Sequence, residues 1–203
     1  MHGNTFRLVT TTGSDRRSRR SVALRLLQER KIFLGREVTP RLAHTIMAQL
    51  MFMEAEAPDA PIQLYINSPG GDVSSGLAIF DTIRLLKSPV TTIATGLAAS
   101  MGTIILEAAA KGLRQSYPNA RILIHQPLGG VRGQATDVEI HAREILKIKD
   151  RLNRILAEST GPPVKKIEED TNRDFWMTAE EAMAYGLVDQ ILQPRETAPG
   201  AVL

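Results

Sequence analysis

Short segments rich in apolar residues alternate along this chain with longer segments in which apolar residues recur every three or four positions. Short apolar runs that stop at a turn are typical of buried strands, and the wider spacing is typical of amphipathic helices. The short runs predict strands at residues 31–35, 62–67, 90–95 and 121–124. The spaced segments predict helices at residues 22–29, 40–56, 74–86, 99–110, 136–158, 164–171 and 178–185.

These elements follow one another in the order strand, turn, helix, and this order recurs along the chain. Parallel strands need a crossover between them, so the order predicts an α/β fold with a mainly parallel sheet. Residues 186–192 close the core, and no internal repeat is present. We expect one domain over residues 21–193, with a mobile polar arm at residues 1–20 and a loose tail at residues 194–203.

The helix predicted over residues 136–158 is long for a chain of 203 residues. Thr136 and Glu139 have the spacing of a capping box, and Glu139 can pair with Arg143 one turn later. Gly161 follows as a stop signal. Apolar residues lie on more than one side of this helix, so we expect it to project and to pack on another subunit.

Composition limits the kinds of partner. Hydrophobic residues make up 43% of the chain and charged residues 23%, as in ordinary globular proteins, and the net charge of +3 is too small to indicate nucleic acid. A basic cluster near the start contains no interleaved aromatic residue, so a solvated arm is favoured over a nucleic-acid contact. The arginines of this cluster are Arg16, Arg17, Arg19 and Arg20.

Cysteine is absent, which excludes disulfides and thiolate chemistry and fits a reducing compartment. No apolar run approaches the roughly 20 residues that cross a bilayer, and the first residues do not resemble a secretory signal. Phosphate-binding-loop and zinc-helix motifs are also missing. We expect a cytoplasmic protein with no membrane partner, no metal and no cofactor.

Ser100 is the first candidate for chemistry, because it stands at the start of a predicted helix among small residues. The first N–H groups of a helix are unpaired and can stabilise an oxyanion. The Met101 amide can supply one donor, and the turn at Gly70 and Gly71 can supply another. The alternative is a small residue in a packed turn, and Ala98 stands where a G-x-S-x-G elbow needs glycine.

His125 is the candidate base. It ends an apolar strand, and strand ends are where α/β proteins place functional side chains. The alternative is a hydrogen-bonded core histidine. His2, His44 and His141 are weaker candidates, and the histidines match no metal-site spacing.

Asp174 is the candidate orienting carboxylate. It precedes Phe175 and Trp176, so we expect it to be partly buried and to need a donor such as an imidazole N–H. A surface aspartate or a helix cap is the alternative, although Thr178 fits the cap better. Asp170 is a rival that spacing does not exclude. Serine, histidine and aspartate together have the three roles of a hydrolase triad.

Several longer motifs point to one family: LYINSPGG at residues 64–71, GLAASMG at 96–102 and PNARILIHQPLGG at 118–130. With shorter matches at residues 29–34, 133–137, 173–174 and 185–189, the chain resembles the proteolytic subunits of the Clp protease, a serine peptidase family. The resemblance extends from about Leu26 to Leu192.

The resemblance implies a crotonase-like spiral of ββα units, in which the long helix and the glycine-rich ribbon before it form a protruding handle. It implies Ser100 as the nucleophile, His125 as the general base and Asp174 as the orienting acid. The oxyanion hole would consist of the Gly71 and Met101 amides. The extended peptide would lie beside Gly70, Leu128 and Gly129.

The resemblance also implies partners. Two stacked heptameric rings would enclose the active sites, and a hexameric Clp ATPase would feed in unfolded polypeptide. The expected activity is that of a self-compartmentalising serine endopeptidase that degrades unfolded proteins to short peptides. No cofactor is needed for this chemistry.

Two departures from the family leave alternatives open. Asn172 stands where the family usually has an acid that contributes to ring–ring contacts. The positions of the ATPase-docking pocket carry few of the usual aromatic residues and methionines; they are Gln63, Thr95, Gln115 and Tyr117. A divergent paralogue that acts as a dependent or scaffolding subunit of a mixed Clp ring is therefore an alternative. A crotonase-type acyl-CoA enzyme, which needs no Ser-His-Asp set, is another.

Overall fold

The structure, a computed structural model, describes residues 16–127 and 133–194, with side chains from residue 22. Within these residues the strands are β1 (Lys31–Leu34), β2 (Ile62–Ser68), β3 (Val90–Ala99), β4 (Arg114–Ser116), β5 (Arg121–Ile124), β6 (Phe175–Met177) and β7 (Gln190–Ile191). The helices are α1 (Arg16–Gln28), α2 (Pro40–Glu56), α3 (Val73–Leu85), α4 (Met101–Leu106), α5 (Ala135–Thr160), α6 (Val164–Thr171) and α7 (Ala179–Tyr185).

The strands form one mainly parallel sheet, as the order of elements predicts. β1, β2 and β3 are parallel neighbours. The other edge of β3 is divided: residues 92–94 pair with β4, and residues 97–99 pair with β5. β7 extends the sheet beyond β4, and β6 pairs antiparallel with β5. β3 is therefore the central strand, and its carboxyl end leads directly to Ser100.

Gly96 does not end β3, so the strand is four residues longer than the predicted strand at 90–95. Asn67 explains the glycine: its Oδ1 accepts the Leu97 N–H at 2.9 Å and would lie 2.8 Å from a Cβ at Gly96. The register between β2 and β3 shifts at this point. Glycine here marks an irregularity where β3 changes partners rather than the end of a strand.

α4 is shorter than the predicted helix at 99–110. The chain turns at Gly112, which has a φ of 92°, and this turn returns Arg114 to the end of α4. There the buried Arg114 contacts Glu107 at 2.7 Å and also pairs with Asp189. The helix thus ends at Glu107, its C-cap residue, which this buried ion cluster holds.

α5 begins at Ala135 with Gln134 as its N-cap, and no side chain caps it. The predicted capping box of Thr136 and Glu139 is therefore wrong: Thr136 lies within the first turn. The pair between Glu139 and Arg143 is confirmed at 2.6 Å. Gly161 ends the helix in the left-handed conformation, as expected.

Only the last part of α5 packs on the core of this chain. Residues 133–144 are all exposed, whereas Leu152, Asn153, Ile155 and Leu156 are buried. The helix therefore projects, as predicted. The capping box of Thr178 and Glu181 on α7 is confirmed.

The predicted arm at residues 1–20 lies mostly outside the described residues, and its last five residues belong to α1. Arginine is a good helix former, so a polar sequence does not prevent this earlier start. The predicted tail lies outside the described residues from residue 195 onward. None of the helices in the described part of the chain is both long and apolar enough to cross a membrane.

Candidate active site

Ser100 occupies a sharp turn between the end of β3 and the start of α4. Its φ of 55° and ψ of −122° are unfavourable for a residue with a Cβ, so the surroundings must hold it there. They do so through the backbone: the Ser100 N–H donates to the Leu123 carbonyl at 3.0 Å. The Thr103 hydroxyl lies 2.8 Å from the carbonyl oxygens of both Ala98 and Leu123.

The Ser100 hydroxyl stays out of this structural network. Ser100 is the N-cap residue of α4, but its side chain does not accept a capping hydrogen bond. A strained strand-to-helix turn that presents a serine hydroxyl has the geometry of a nucleophile elbow, although the glycine motif is missing. The small residues around Ser100 were the sequence signal for this turn.

Gly70 and Gly71 lie directly against this turn. A Cβ at Gly70 would lie 2.6 Å from the Ser100 Cβ and 3.0 Å from the Met101 nitrogen. Both glycines have positive φ values, 94° and 143°. The segment is fixed by Val38, whose N–H donates to the Gly70 carbonyl at 2.7 Å and whose carbonyl accepts from Asp72 at 2.8 Å.

Asp72 completes this turn as the N-cap of α3. Its carboxylate accepts the backbone N–H of Ser75 at 2.8 Å and the hydroxyl of the same residue at 2.5 Å. These two hydrogen bonds lower the pKa of the Asp72 carboxyl. Across the parts of the chain that are described, neither the Gly71 nor the Met101 amide donates a hydrogen bond, so both are available to an anion.

His125 and Asp174 are paired side chains. The His125 Nδ1 lies 3.0 Å from the Asp174 Oδ1. β5 and β6 bring them together, because Ile124 is opposite Phe175 in the antiparallel register and the next residues along are His125 and Asp174. The Gln126 N–H also donates to the Thr171 carbonyl at 2.7 Å, which ties the histidine to the segment before β6.

The expectation that Asp174 is partly buried is wrong, because its side chain is 62% exposed. The aromatic residues after it do not cover it: Trp176 is itself 46% exposed, and Phe175 packs against Tyr185. His125 is the more buried partner, with 15% of its side chain exposed.

Asp170, the rival carboxylate, is engaged elsewhere. Its Oδ2 accepts the Tyr185 hydroxyl at 2.8 Å, and its Oδ1 pairs with Lys166. Burial, together with the hydrogen bond to Asp170, raises the pKa of Tyr185. Of the two aspartates, the structure therefore places Asp174 beside His125.

Ser100 and His125 line one cavity of about 20 Å³, next to the apolar side chains of Met101, Ile104 and Leu156. Among the residues that are described, no hydrogen bond joins the Ser100 hydroxyl to the His125 ring. Catalytic hydrogen bonds are often long before substrate binds, so this geometry is compatible with general-base chemistry. The structure thus pairs His125 with Asp174 and places Ser100 at the same cavity.

The sequence reasoning missed Asn153, which also lines this cavity. The signal was present: an asparagine lies within the apolar stripe of α5, next to Leu152 and near Ile155. Two predicted peptide-binding residues, Leu128 and Gly129, lie outside the described residues.

Ser100, Gly71 and His125 follow the carboxyl ends of three adjacent parallel strands, the edge at which α/β enzymes carry their sites. A strained serine, a His–Asp pair and two free amides at this edge define a hydrolase-type site on an α/β fold. The sequence model of the Clp protease family matches residues 14–195 of this chain. The chain belongs to the Clp protease family, and the predicted resemblance is confirmed.

This membership makes the chain a Clp-type peptidase and confirms the crotonase-like fold class. It favours the peptidase over the acyl-CoA enzyme that the sequence left as an alternative. The family match covers most of the chain, from the described start of α1 to the residues after β7.

Proposed function

We propose that this protein is a serine endopeptidase in which Ser100, His125 and Asp174 form the catalytic triad. One observation carries the proposal: His125, which pairs with Asp174 at 3.0 Å, lines the same cavity as a serine held in a strained turn. Strained backbone is retained where its surroundings determine it and is concentrated at functional sites.

The proposed roles follow from the chemistry of each group. His125 accepts the Ser100 proton through Nε2 while its Nδ1–H donates to Asp174, and the serine oxygen attacks the peptide carbonyl carbon. The Gly71 and Met101 amides stabilise the oxyanion. The protonated His125 then gives its proton to the leaving amine. In the second half of the reaction, His125 takes a proton from water, the water oxygen attacks the acyl carbon, and His125 returns the proton to Ser100.

The substrate class we propose is unfolded polypeptide, bound as an extended strand beside Gly70, Leu128 and Gly129. The position of Gly70, directly against the Ser100 turn, supports this placement. We propose two stacked heptameric rings, supplied by a hexameric Clp ATPase in the cytoplasm. The projecting part of α5, with its exposed Ile140 and Leu146, supports contact with another subunit.

The test is a comparison of wild type, Ser100→Ala and the control Ser74→Ala, whose side chain is exposed on α3. We expect Ser100→Ala to lose cleavage of a short fluorogenic peptide and to lose labelling by a fluorophosphonate. The control should keep both, and peptide mapping should place the label on Ser100. Native mass spectrometry of the same samples checks the expected fourteen subunits. Labelling of a different serine would contradict the proposal.

A dependent or scaffolding subunit of a mixed Clp ring is the second candidate. The lack of a hydrogen bond between the Ser100 hydroxyl and the His125 ring among the described residues favours it, because contact with a neighbouring subunit would then be needed to complete the site. A fully assembled double ring that neither cleaves peptide nor accepts the label would support this candidate and contradict the first.

A further inference from the structure

Thr103, in the first turn of α4, has a hydroxyl that contacts two strands at once. Its Oγ1 lies 2.8 Å from the Ala98 carbonyl oxygen and 2.8 Å from the Leu123 carbonyl oxygen, and the residue is fully buried. Ala98 lies on β3, two residues before Ser100, and Leu123 lies on β5, two residues before His125. The hydroxyl therefore links the strand of the proposed nucleophile to the strand of the proposed base.

This link lies where the backbone connection between the two strands ends. β3 and β5 are paired up to Ala99 and Leu123, and the Ser100 N–H then donates to the Leu123 carbonyl at 3.0 Å. Within the described residues, no backbone hydrogen bond joins the Ser100 turn to His125, whose ring pairs with Asp174 instead. The spacing between Ser100 and His125 therefore depends on how the ends of β3 and β5 meet.

The first turn of α4 has little freedom to move away from these carbonyl groups. The Thr103 N–H donates to the Ser100 carbonyl at 3.0 Å, so the threonine also holds the turn through its backbone. The preceding Gly102 lies against Ser68: a Cβ there would lie 3.0 Å from the Ser68 carbonyl oxygen. A change at the Thr103 side chain should therefore displace the strand ends rather than the helix.

The chemistry of the contact shows what such a change would do. A hydroxyl can lie 2.8 Å from a carbonyl oxygen because it donates a proton, whereas a carbon atom stays at about 3.3–3.6 Å. A methyl group in place of the Thr103 hydroxyl would therefore push Ala98 or Leu123 away by roughly half an ångström. Removing the hydroxyl without replacement would leave the two strand ends without their side-chain link.

We propose that Thr103 is a positioning residue whose hydroxyl sets the spacing between the Ser100 hydroxyl and the His125 ring. The inference rests on the proposed function and adds to it a residue that touches neither the substrate nor the reacting atoms. Small displacements of reacting groups slow the chemical step steeply. The backbone that binds an extended peptide lies elsewhere, so the effect should fall on kcat rather than on KM.

The experiment compares three variants of Thr103 in the full-length protein. Thr103→Val keeps the shape without the hydroxyl, Thr103→Ser keeps the hydroxyl, and Thr103→Ala differs from the serine variant by that oxygen alone. Cleavage of a short fluorogenic peptide gives kcat and KM. Titration with a fluorophosphonate counts the active subunits, so that kcat refers to these alone, and native mass spectrometry checks that assembly is unchanged.

Thr92→Val is the matched control. Thr92 also lies on β3 and is equally buried, and its hydroxyl donates to the Leu106 carbonyl at 2.7 Å. The control therefore loses the same kind of buried hydrogen bond between β3 and α4, but near the start of the strand rather than beside Ser100. It should be less stable than wild type and keep kcat within about threefold.

We expect kcat to fall roughly tenfold or more in Thr103→Val and Thr103→Ala, and to stay within about threefold of wild type in Thr103→Ser. KM should change by less than about threefold in all three. If the valine variant does not fold, the serine and alanine variants still isolate the hydroxyl, because neither introduces a larger group.

Equal kcat in the serine and alanine variants would overturn the role of Thr103, as would an equal loss in Thr92→Val or a change confined to KM. Each of these results would leave the peptidase proposal standing, because wild type would still cleave through Ser100. Absence of Ser100-dependent cleavage in wild type would overturn both proposals.

Discussion

Ser100 and Arg30 have positive φ values, 55° and 58°, which non-glycine residues in the described part of the chain otherwise avoid. Their side chains differ in what they do. The Arg30 guanidinium donates to the carbonyl oxygens of Met53 and Ala60 at 2.7 and 2.9 Å, so it joins α2 to the loop that follows it. The Ser100 hydroxyl makes no capping bond. The strain at Arg30 therefore serves the fold, whereas the strain at Ser100 leaves its hydroxyl uncommitted, as the proposed nucleophile requires.

Replacing Asp174 tests the pairing with His125. We expect Asp174→Asn to lower kcat/KM by about 10²–10⁴-fold, because the asparagine amide favours the wrong tautomer of the histidine. Asp170→Asn is the matched control: it keeps an oxygen that can accept from Tyr185 but loses the charge that pairs with Lys166, so stability should fall while kcat/KM stays within about threefold. Peptide hydrolysis and thermal unfolding of both variants check this. Greater loss of activity in Asp170→Asn would reverse the assignment.

Glu107 provides a test of pH dependence. Burial raises the pKa of this carboxyl from 4.5 to about 7, despite the neighbouring Arg114. Between these values the folded protein holds a proton that the unfolded chain has released, so stability falls as pH rises from about 4.5 to 7 and then stays level. The pKa change corresponds to a loss on the order of 3 kcal/mol.

Glu107→Gln should remove this slope, because glutamine is neutral at every pH and can still accept from Arg114. Unfolding of wild type, Glu107→Gln and the exposed control Glu139→Gln is compared at pH 5, 6, 7 and 8. We expect the control to follow wild type and Glu107→Gln to become the more stable protein above pH 7. Parallel curves for wild type and Glu107→Gln would contradict the raised pKa.

The functional residues differed in how well the sequence around them predicted their role. Ser100 and His125 could be proposed because their neighbours, small residues in one case and a strand end in the other, are visible in the sequence. Asp174 could not be separated from Asp170, because the choice depends on the register of β5 against β6, a pairing between segments about fifty residues apart. Asn153 was missed because a polar residue in a helix is normally exposed.

At the scale of elements, the turn after β2 is the segment that supports the site. Its Gly70 has a φ of 94° and would place a Cβ against the Ser100 turn. We expect Gly70→Ala to lower kcat/KM by more than about 100-fold, because the Ser100 turn or the Gly71 amide must move. It should also lower stability by about 2 kcal/mol or more through backbone strain and the clash.

Gly112→Ala is the matched control, because Gly112 has almost the same φ, 92°, and open space where the Cβ would lie. It carries the backbone penalty without the clash. We expect a modest loss of stability and normal activity from this variant, measured by kcat/KM and thermal unfolding. Equal losses of activity in the two variants would show that contact with Ser100 is not the cause.

The long helices were predicted well, and the shortest strands were not. α2 matches its predicted bounds at residues 40–56, since its apolar stripe repeats over four turns. β4, β6 and β7 have three, three and two residues, too few for any periodic pattern, and they form because neighbouring strands offer an edge. The predicted capping box at Thr136 was wrong, because a threonine and a glutamate three residues apart can also lie inside the first turn of a helix.

At the scale of the whole molecule, the projecting part of α5 leaves apolar side chains exposed among the described residues. On α5 these include Ile140 and Leu146, which are 58% and 64% exposed. The sequence could predict that this helix projects, because its apolar positions exceed one face. It could not predict where the projection starts, since that depends on α6, which packs against the later part of α5.

The last prediction joins assembly to activity. If the projecting half of α5 packs between subunits, Leu146→Gln removes apolar area from that contact, and we expect native mass spectrometry to show smaller species in place of fourteen subunits. Lys147→Gln is the matched control, with an adjacent and similarly exposed side chain. In the sequence, α5 begins only ten residues after His125, so subunits that lose this contact should lose kcat/KM by roughly tenfold or more. If dissociated subunits kept full activity, assembly would not be needed for catalysis, and the catalytic geometry would be complete within one chain.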